Sequence, residues 1–266
     1  MSEIMDVYWR APPMARTLAT AIFISSLGIY LGPLNYSWFY FTEDTLFRLP
    51  PEIWRLATNF FLSTPKFGIL MDPYLVYQYL SQVENSPRFP NKENVLWYLI
   101  CVGGIIITLN RALLGGAFFL QALIIALCYT AVQDQRGMKV QFFFFQVPAQ
   151  TVPYCIILAS MLSLGDPSGV PMQLTGIAAA HLYDFLTRLW PEFGGGRNLL
   201  PMPGFMSRLV GNRRAPEPAH VPAARAGGTR LGGAGGGTGS STGASTGSVL
   251  PDSWKTRGSG HRLGSD

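Results

Sequence analysis

The feature that most constrains this chain is a succession of long apolar runs separated by short polar loops, from residue 15 to residue 189. About twenty apolar residues in a helix match the roughly 30 Å hydrocarbon core of a bilayer. Six runs meet or approach that length: 15–34, 56–79, 95–109, 113–132, 142 to about 164, and 171–189. Arg10 and Arg16 precede the first run, and Gly32-Pro33 follows with no small-x-small cleavage pattern, so it reads as an uncleaved signal anchor. Ser25 and Ser26 within it are expected to bond back to their own helix. The second run is the least regular, interrupted by Asn59, Lys66 and Asp72 and broken by Pro65 and Pro73. Broken helices persist in a membrane only where protein or water satisfies the freed backbone groups. The third and fourth runs read as a tight helical hairpin joined at Asn110-Arg-Ala. The fifth opens with four phenylalanines and contains Pro148 and Pro153. The predicted fold is therefore an all-α membrane domain of six transmembrane helices over residues 1–190.

Composition divides the chain in two. Residues 1–190 hold 11 Lys/Arg against 11 Asp/Glu, whereas residues 191–266 hold 9 against 4, so the second part carries the whole net charge of +5. That part also has 18 Gly and 7 Pro but only three aromatic residues, Phe193, Phe205 and Trp254. It has too little apolar surface to offset its chain entropy and is predicted to be a disordered tail. Six spans place both termini on one side. Arg10, Arg16, Arg88, Lys92, Arg136, Lys139 and the basic tail fall on that face, against Arg48, Arg55 and Arg111 on the other, which makes it the cytosol.

Between the first two runs, Tyr36, Trp38, Phe39, Tyr40, Phe41 and Phe47 crowd a loop that ends in Glu52-Ile-Trp-Arg-Leu-Ala-Thr-Asn-Phe60. Trp54 suits headgroup depth, and Arg55 has five fixed N–H donors for loop carbonyls. Glu-x-Trp-Arg followed by Leu-x-Thr-Asn-Phe after a first span resembles the signature of the Derlin family, inactive rhomboid-like proteins of the endoplasmic reticulum. The Pro-punctuated stretch Phe145-Gln-Val-Pro-Ala-Gln-Thr-Val-Pro-Tyr154 is similar to the entry of the family's fifth span. The resemblance implies a six-span rhomboid-like fold with Glu52, Trp54, Arg55 and Asn59 as its lumenal loop motif.

Rhomboid proteolysis needs a serine on the fourth span and a base on the sixth. Where an active rhomboid has Gly-x-Ser-x, this chain runs Gly115-Gly-Ala-Phe-Phe-Leu-Gln121, and no serine occurs between Leu113 and Val132. Placing the family's Gly-x-x-x-Gly helix motif on Gly176-Ile-Ala-Ala-Ala180 puts the rhomboid histidine position near Gln173, so His181 reads as hydrogen-bonded structure. Gly176 and Ala180 are then the small residues through which two helices approach.

In the tail, Trp254-Lys-Thr-Arg-Gly258-Ser-Gly260-His-Arg262-Leu263-Gly264 resembles the SHP box, which in Derlins docks on the valosin-containing AAA ATPase. A looser copy is Ala226-Gly-Gly-Thr-Arg230-Leu231-Gly-Gly233. Two boxes on a long tail are most similar to the fungal branch of the family. The resemblance implies a non-enzymatic part in endoplasmic-reticulum-associated degradation: perturbing or thinning the bilayer to assist retrotranslocation of misfolded clients, beside a ubiquitin ligase complex. It leaves a homo-oligomer open. The alternatives are a rhomboid protease, which lacks its nucleophile, and a small-solute transporter, which would need matching inverted repeats. No basic stripe with base-stacking aromatics points to nucleic acid. Three scattered histidines and three cysteines inside apolar runs supply no metal site, and no cofactor motif occurs.

Overall fold

The structure, a computed structural model, describes residues 2–42, 52–135, 137–142, 145–164, 167–194 and 196–206. Chain contacts divide the protein into Met1–Ala215 and Pro216–Asp266. The second unit, with both tail boxes, lies outside the described residues, as do Phe47, Arg48 and Arg136.

The first unit is mostly helical: α1 (Ser2–Arg10), α2 (Pro13–Tyr30), α3 (Arg55–Thr58), α4 (Gly68–Glu84), α5 (Lys92–Leu113), α6 (Leu120–Gln133), α7 (Val152–Leu164), α8 (Val170–Asp184), then a π-helical turn (Phe185–Leu189) and α9 (Trp190–Phe193). The all-α expectation needs one correction. β1 (Lys139–Phe142) and β2 (Phe145–Pro148) pair antiparallel, with Phe142 opposite Phe145. The phenylalanine run assigned to the fifth span favours extended backbone, and the helix starts only after Pro148. Among the described residues, α5 is the one helix long and apolar enough to cross a membrane by length and composition. The helices α6 and Ala149–Leu162 are apolar but shorter.

Helix limits follow local chemistry. Pro13 starts α2, and the Glu84 carboxylate at the end of α4 accepts from the Met14 and Ala15 amides at 3.1 Å, so one helix caps another. Gly32, with φ +94°, and Pro33 stop α2 four residues before Leu34. The expected turn at Asn110-Arg-Ala is instead helix. Asn110 is buried and its Nδ2 donates to Ile106 O at 2.9 Å and to Thr175 Oγ1 at 2.7 Å, so α5 continues to Leu113. Gly115, with φ +71°, then takes the left-handed conformation that ends it, and α6 begins only at Leu120.

The second run is the largest correction, because after the single turn of α3 residues 59–67 are irregular and helix resumes only at Gly68. Lys66 has φ +63° and follows Pro65. The freed backbone groups are met from other elements. Ser25 Oγ donates to Phe61 O at 2.6 Å as well as to Ile22 O in its own helix. Ser26 Oγ accepts from Ser63 N at 2.9 Å, and Tyr30 donates to Ser63 O at 2.8 Å. Thus Ser26 joins α2 to the break, where self-bonding was expected. Phe119 N donates to Asn59 O at 3.3 Å, fastening the same segment to the start of α6.

Eleven of the 14 residues of α6 are buried, which makes it the central element. It is packed by α4, α7 and α8, while α2 lies along α4 and α5 against α8. Large apolar side chains also face outward, among them Ile24, Leu70, Ile100, Leu158, Leu162 and Leu174. An apolar exterior around an apolar interior suits helices surrounded by lipid.

Candidate functional site: a cavity beside the broken second run

A cavity of about 420 Å³ opens between the 64–67 segment, α4, α6, β1 and α7. Phe67, Met71, Leu75, Phe142 and Ile156 form its apolar walls, and Thr64, Lys66, Asp72, Gln121 and Ser160 bring polar groups to it. Asp72 is 4% exposed. Its Oδ2 accepts from the Thr64 amide at 2.8 Å and the Thr64 hydroxyl at 2.9 Å, with the Gln121 amide beside it. A carboxylate fixed by two donors ties the broken backbone to the second turn of α4. Ser160, on α7, meets Gln173 on α8, whose side-chain amide lies 2.8 and 2.9 Å from the hydroxyl. An amide cannot take up a proton at neutral pH, so this pair has no base.

His181 contacts Tyr129, with the hydroxyl 3.1 Å from Nδ1, and does not line the cavity. Gly176 lies so close to α6 that a Cβ there would stand 2.1 Å from Ala122 O, and Ala180 is 1% exposed. Among the described residues no three His, Cys, Asp or Glu side chains converge as a metal site requires.

The loop motif lies apart from the cavity. Arg55 opens α3, its Nε bonds Glu52 Oε2, and its Nη1 donates to Tyr40 O at 2.6 Å. Thr58 donates to Trp38 O at 3.0 Å, so α3 holds the aromatic loop from both ends. Trp54, Trp38 and Tyr36 remain about half exposed while Phe39 and Phe41 are buried. Burial, and then the neighbouring Tyr40, raise the Tyr36 phenol above its ordinary value of 10, which leaves it an uncharged donor. Asn59 is buried with its Nδ2 on Arg55 O at 2.8 Å. The tail residues Arg230, Leu231, Trp254, Gly258, Gly260, Arg262, Leu263 and Gly264 lie outside the described residues.

Sequence reading singled out Asp72 as an interruption and Gln173 as a position, but did not join either to Thr64, Gln121 or Ser160. A lone serine or glutamine in an apolar run carries no periodic signal of which side it faces.

The Der1-like family model matches residues 11–204. Similar proteins include Derlin-1 of Bos taurus and Derlin-1 of Homo sapiens, each 29% identical over 220 residues, or 80% of this chain and 85% of the relative. Derlin-1.1 of Zea mays is 25% identical over 227 residues, 84% and 90% of the two chains. Because the match runs through every helix from α2 to α9 and the cavity they build, this mostly helical chain belongs to the Der1-like family, a family of membrane proteins.

Proposed function

We propose that the protein assists retrotranslocation of misfolded clients in endoplasmic-reticulum-associated degradation, without cleaving them. Six membrane-embedded segments would lie in the endoplasmic reticulum membrane with both termini cytosolic. Family membership supports the role, and the single observation that carries the mechanism is the polar-floored cavity beside a span whose backbone is broken yet satisfied by its neighbours. A client segment leaving the membrane needs a place where backbone polarity is tolerated, and such places are surrounded by protein or water. A short outer helix adds a second effect. With 13 residues, and with Leu158 and Leu162 facing outward, α7 is only about 20 Å long, well under a hydrocarbon core of roughly 30 Å, so lipid beside it would thin. Ser160 faces an amide where catalysis would need a base, in keeping with a non-proteolytic role.

Photocrosslinking in microsomes tests the cavity. A benzoylphenylalanine at Met71, a cavity wall, is expected to form adducts with a misfolded client. The same group at Leu174, which is 46% exposed on α8, reports adducts from the outer surface. Equal yields from the two positions, or none from Met71, would refute the cavity as the receiving site.

The tail would supply the ATPase. A disordered peptide docking on a folded domain recovers its ordering cost through few anchors, so binding is modest and concentrated. Leu263 is the apolar anchor and Arg262 the polar one, with Gly258, Gly260 and Gly264 allowing close backbone approach. A peptide covering residues 254–266 is expected to bind the ATPase's N-terminal domain, and Leu263→Ala to abolish binding. Release of the full chain needs Leu231 changed as well, since two boxes add avidity. Calorimetric titration decides this: no heat at high micromolar peptide would show the box to be chance.

A further inference from the structure

A second cavity, of about 300 Å³, is built by Arg88 and Phe89, the first turns of α5, the end of α8 with its π turn, and residues 198–202. Two guanidiniums line it. Arg88, whose side chain is 16% exposed, binds Asp184 Oδ1, and Arg188, 48% exposed, binds Asp184 Oδ2 at 2.9 Å. Among the described residues one carboxylate thus faces two cations, which leaves one positive charge in excess in this group. Asp184 accepts from one nitrogen of each Arg, whereas each guanidinium carries five N–H groups, so donors are left over for a ligand. Asn94, Thr187 and Asn198 add neutral polar groups to the lining, and Arg197 directly precedes Asn198 in the chain. Glu93, beside Asn94, is buried and does not line the cavity.

The depth of this cavity is set by α5, the helix long and apolar enough to cross a membrane, because Asn94 and Trp97 stand in its first two turns. Trp97 donates from Nε1 to Leu200 O at 3.3 Å, tying the 198–202 segment to that level. A Trp at the end of an apolar span marks the headgroup region. Forked guanidiniums with spare donors at that depth match a phosphate group bidentately. A π turn, an arrangement found often at functional sites, carries Thr187 and Arg188 into the lining.

We propose that this cavity binds a phosphate group, presented either by an anionic phospholipid headgroup or as free phosphate. The inference needs the chain's place in a membrane and nothing of its role in degradation. The test uses the full chain in nanodiscs of phosphatidylcholine containing phosphatidic acid, with lipid retained per chain read by native mass spectrometry. Wild-type protein is expected to retain one phosphatidic acid, Arg188→Gln about tenfold less, and Arg188→Lys an intermediate amount. Asn198→Asp, which keeps both ion pairs and places a negative charge in the cavity, is expected to lose the lipid as well. Melting in pure phosphatidylcholine confirms that each variant is folded, and this control is why the more buried Arg88 is left unchanged. Displacement of the lipid by millimolar inorganic phosphate would assign free phosphate as the ligand, and resistance to displacement would assign the headgroup. Retention of phosphatidic acid no better than phosphatidylcholine overturns the proposal. So does an equal loss in Arg225→Gln, which removes the same charge from the tail.

Discussion

A Gly176→Val chain is expected to lose its folded state. The first atom added, Cβ, would stand 2.1 Å from Ala122 O, 2.9 Å from its carbonyl carbon and 3.1 Å from its Cα. All three are backbone atoms of the central helix, so no rotamer change relieves the overlap. The helices α6 and α8 must separate instead. Ordinary overpacking costs about 1–3 kcal/mol, and forcing two backbones apart exceeds that against a total stability of about 5–15 kcal/mol. Gly176→Ala alone adds the offending Cβ and is expected to lower the melting temperature by many degrees. Gly104→Ala, in the helix α5 with nothing within 4 Å of its Cβ position, is the matched control and should be neutral or slightly stabilising. Melting curves in one detergent compare the three. Coincident curves for Gly176→Ala and wild type would mean that this contact is slack.

Loss of Arg55 is expected to release the aromatic loop and slow client degradation while the protein stays in the membrane. Its side chain is only 11% exposed, held between Glu52 and the Tyr40 carbonyl. Truncation to Ala leaves both acceptors without that donor, a cost of about 1–3 kcal/mol borne mostly by the loop. Hydrogen exchange should rise across residues 36–41, which Arg55 and Thr58 fasten to α3. Arg55→Lys is not expected to restore protection, because an ammonium lacks the fork that serves two acceptors at once. Trp54→Ala should behave differently. Trp54 is 52% exposed, so the loop stays fastened and only its anchorage at the membrane surface is lost. Unchanged exchange in Arg55→Ala would show that the loop is held by other contacts. Normal degradation with both residues replaced would remove this loop from the proposed role.

The mostly helical character of the chain and the order of its apolar segments could be read from residue order, because hydrophobicity is a local property that needs no partner to be seen. Residues 15–34 became α2, 95–109 lie within α5, and 171–189 became α8 with its π turn. The motif Glu52-x-Trp54-Arg55 and the Gly176 position also carried the family likeness without any coordinates. What residue order did not determine was where each helix yields. Asn110 looks like a turn until Thr175, 65 residues away, accepts its amide and lets α5 run on. Phe142 and Phe145 look like part of a span and lie opposite each other on paired strands. Most of all, residues 59–67 look like an interrupted helix. They stand as irregular backbone because Ser25, Ser26 and Tyr30 of α2, Phe119 before α6 and Asp72 of α4 supply the bonds a helix would have made internally. The cavity exists only through that exchange. A backbone carbonyl can be freed from its own helix when a donor from another element takes its place, and which donors arrive is decided by packing across the fold.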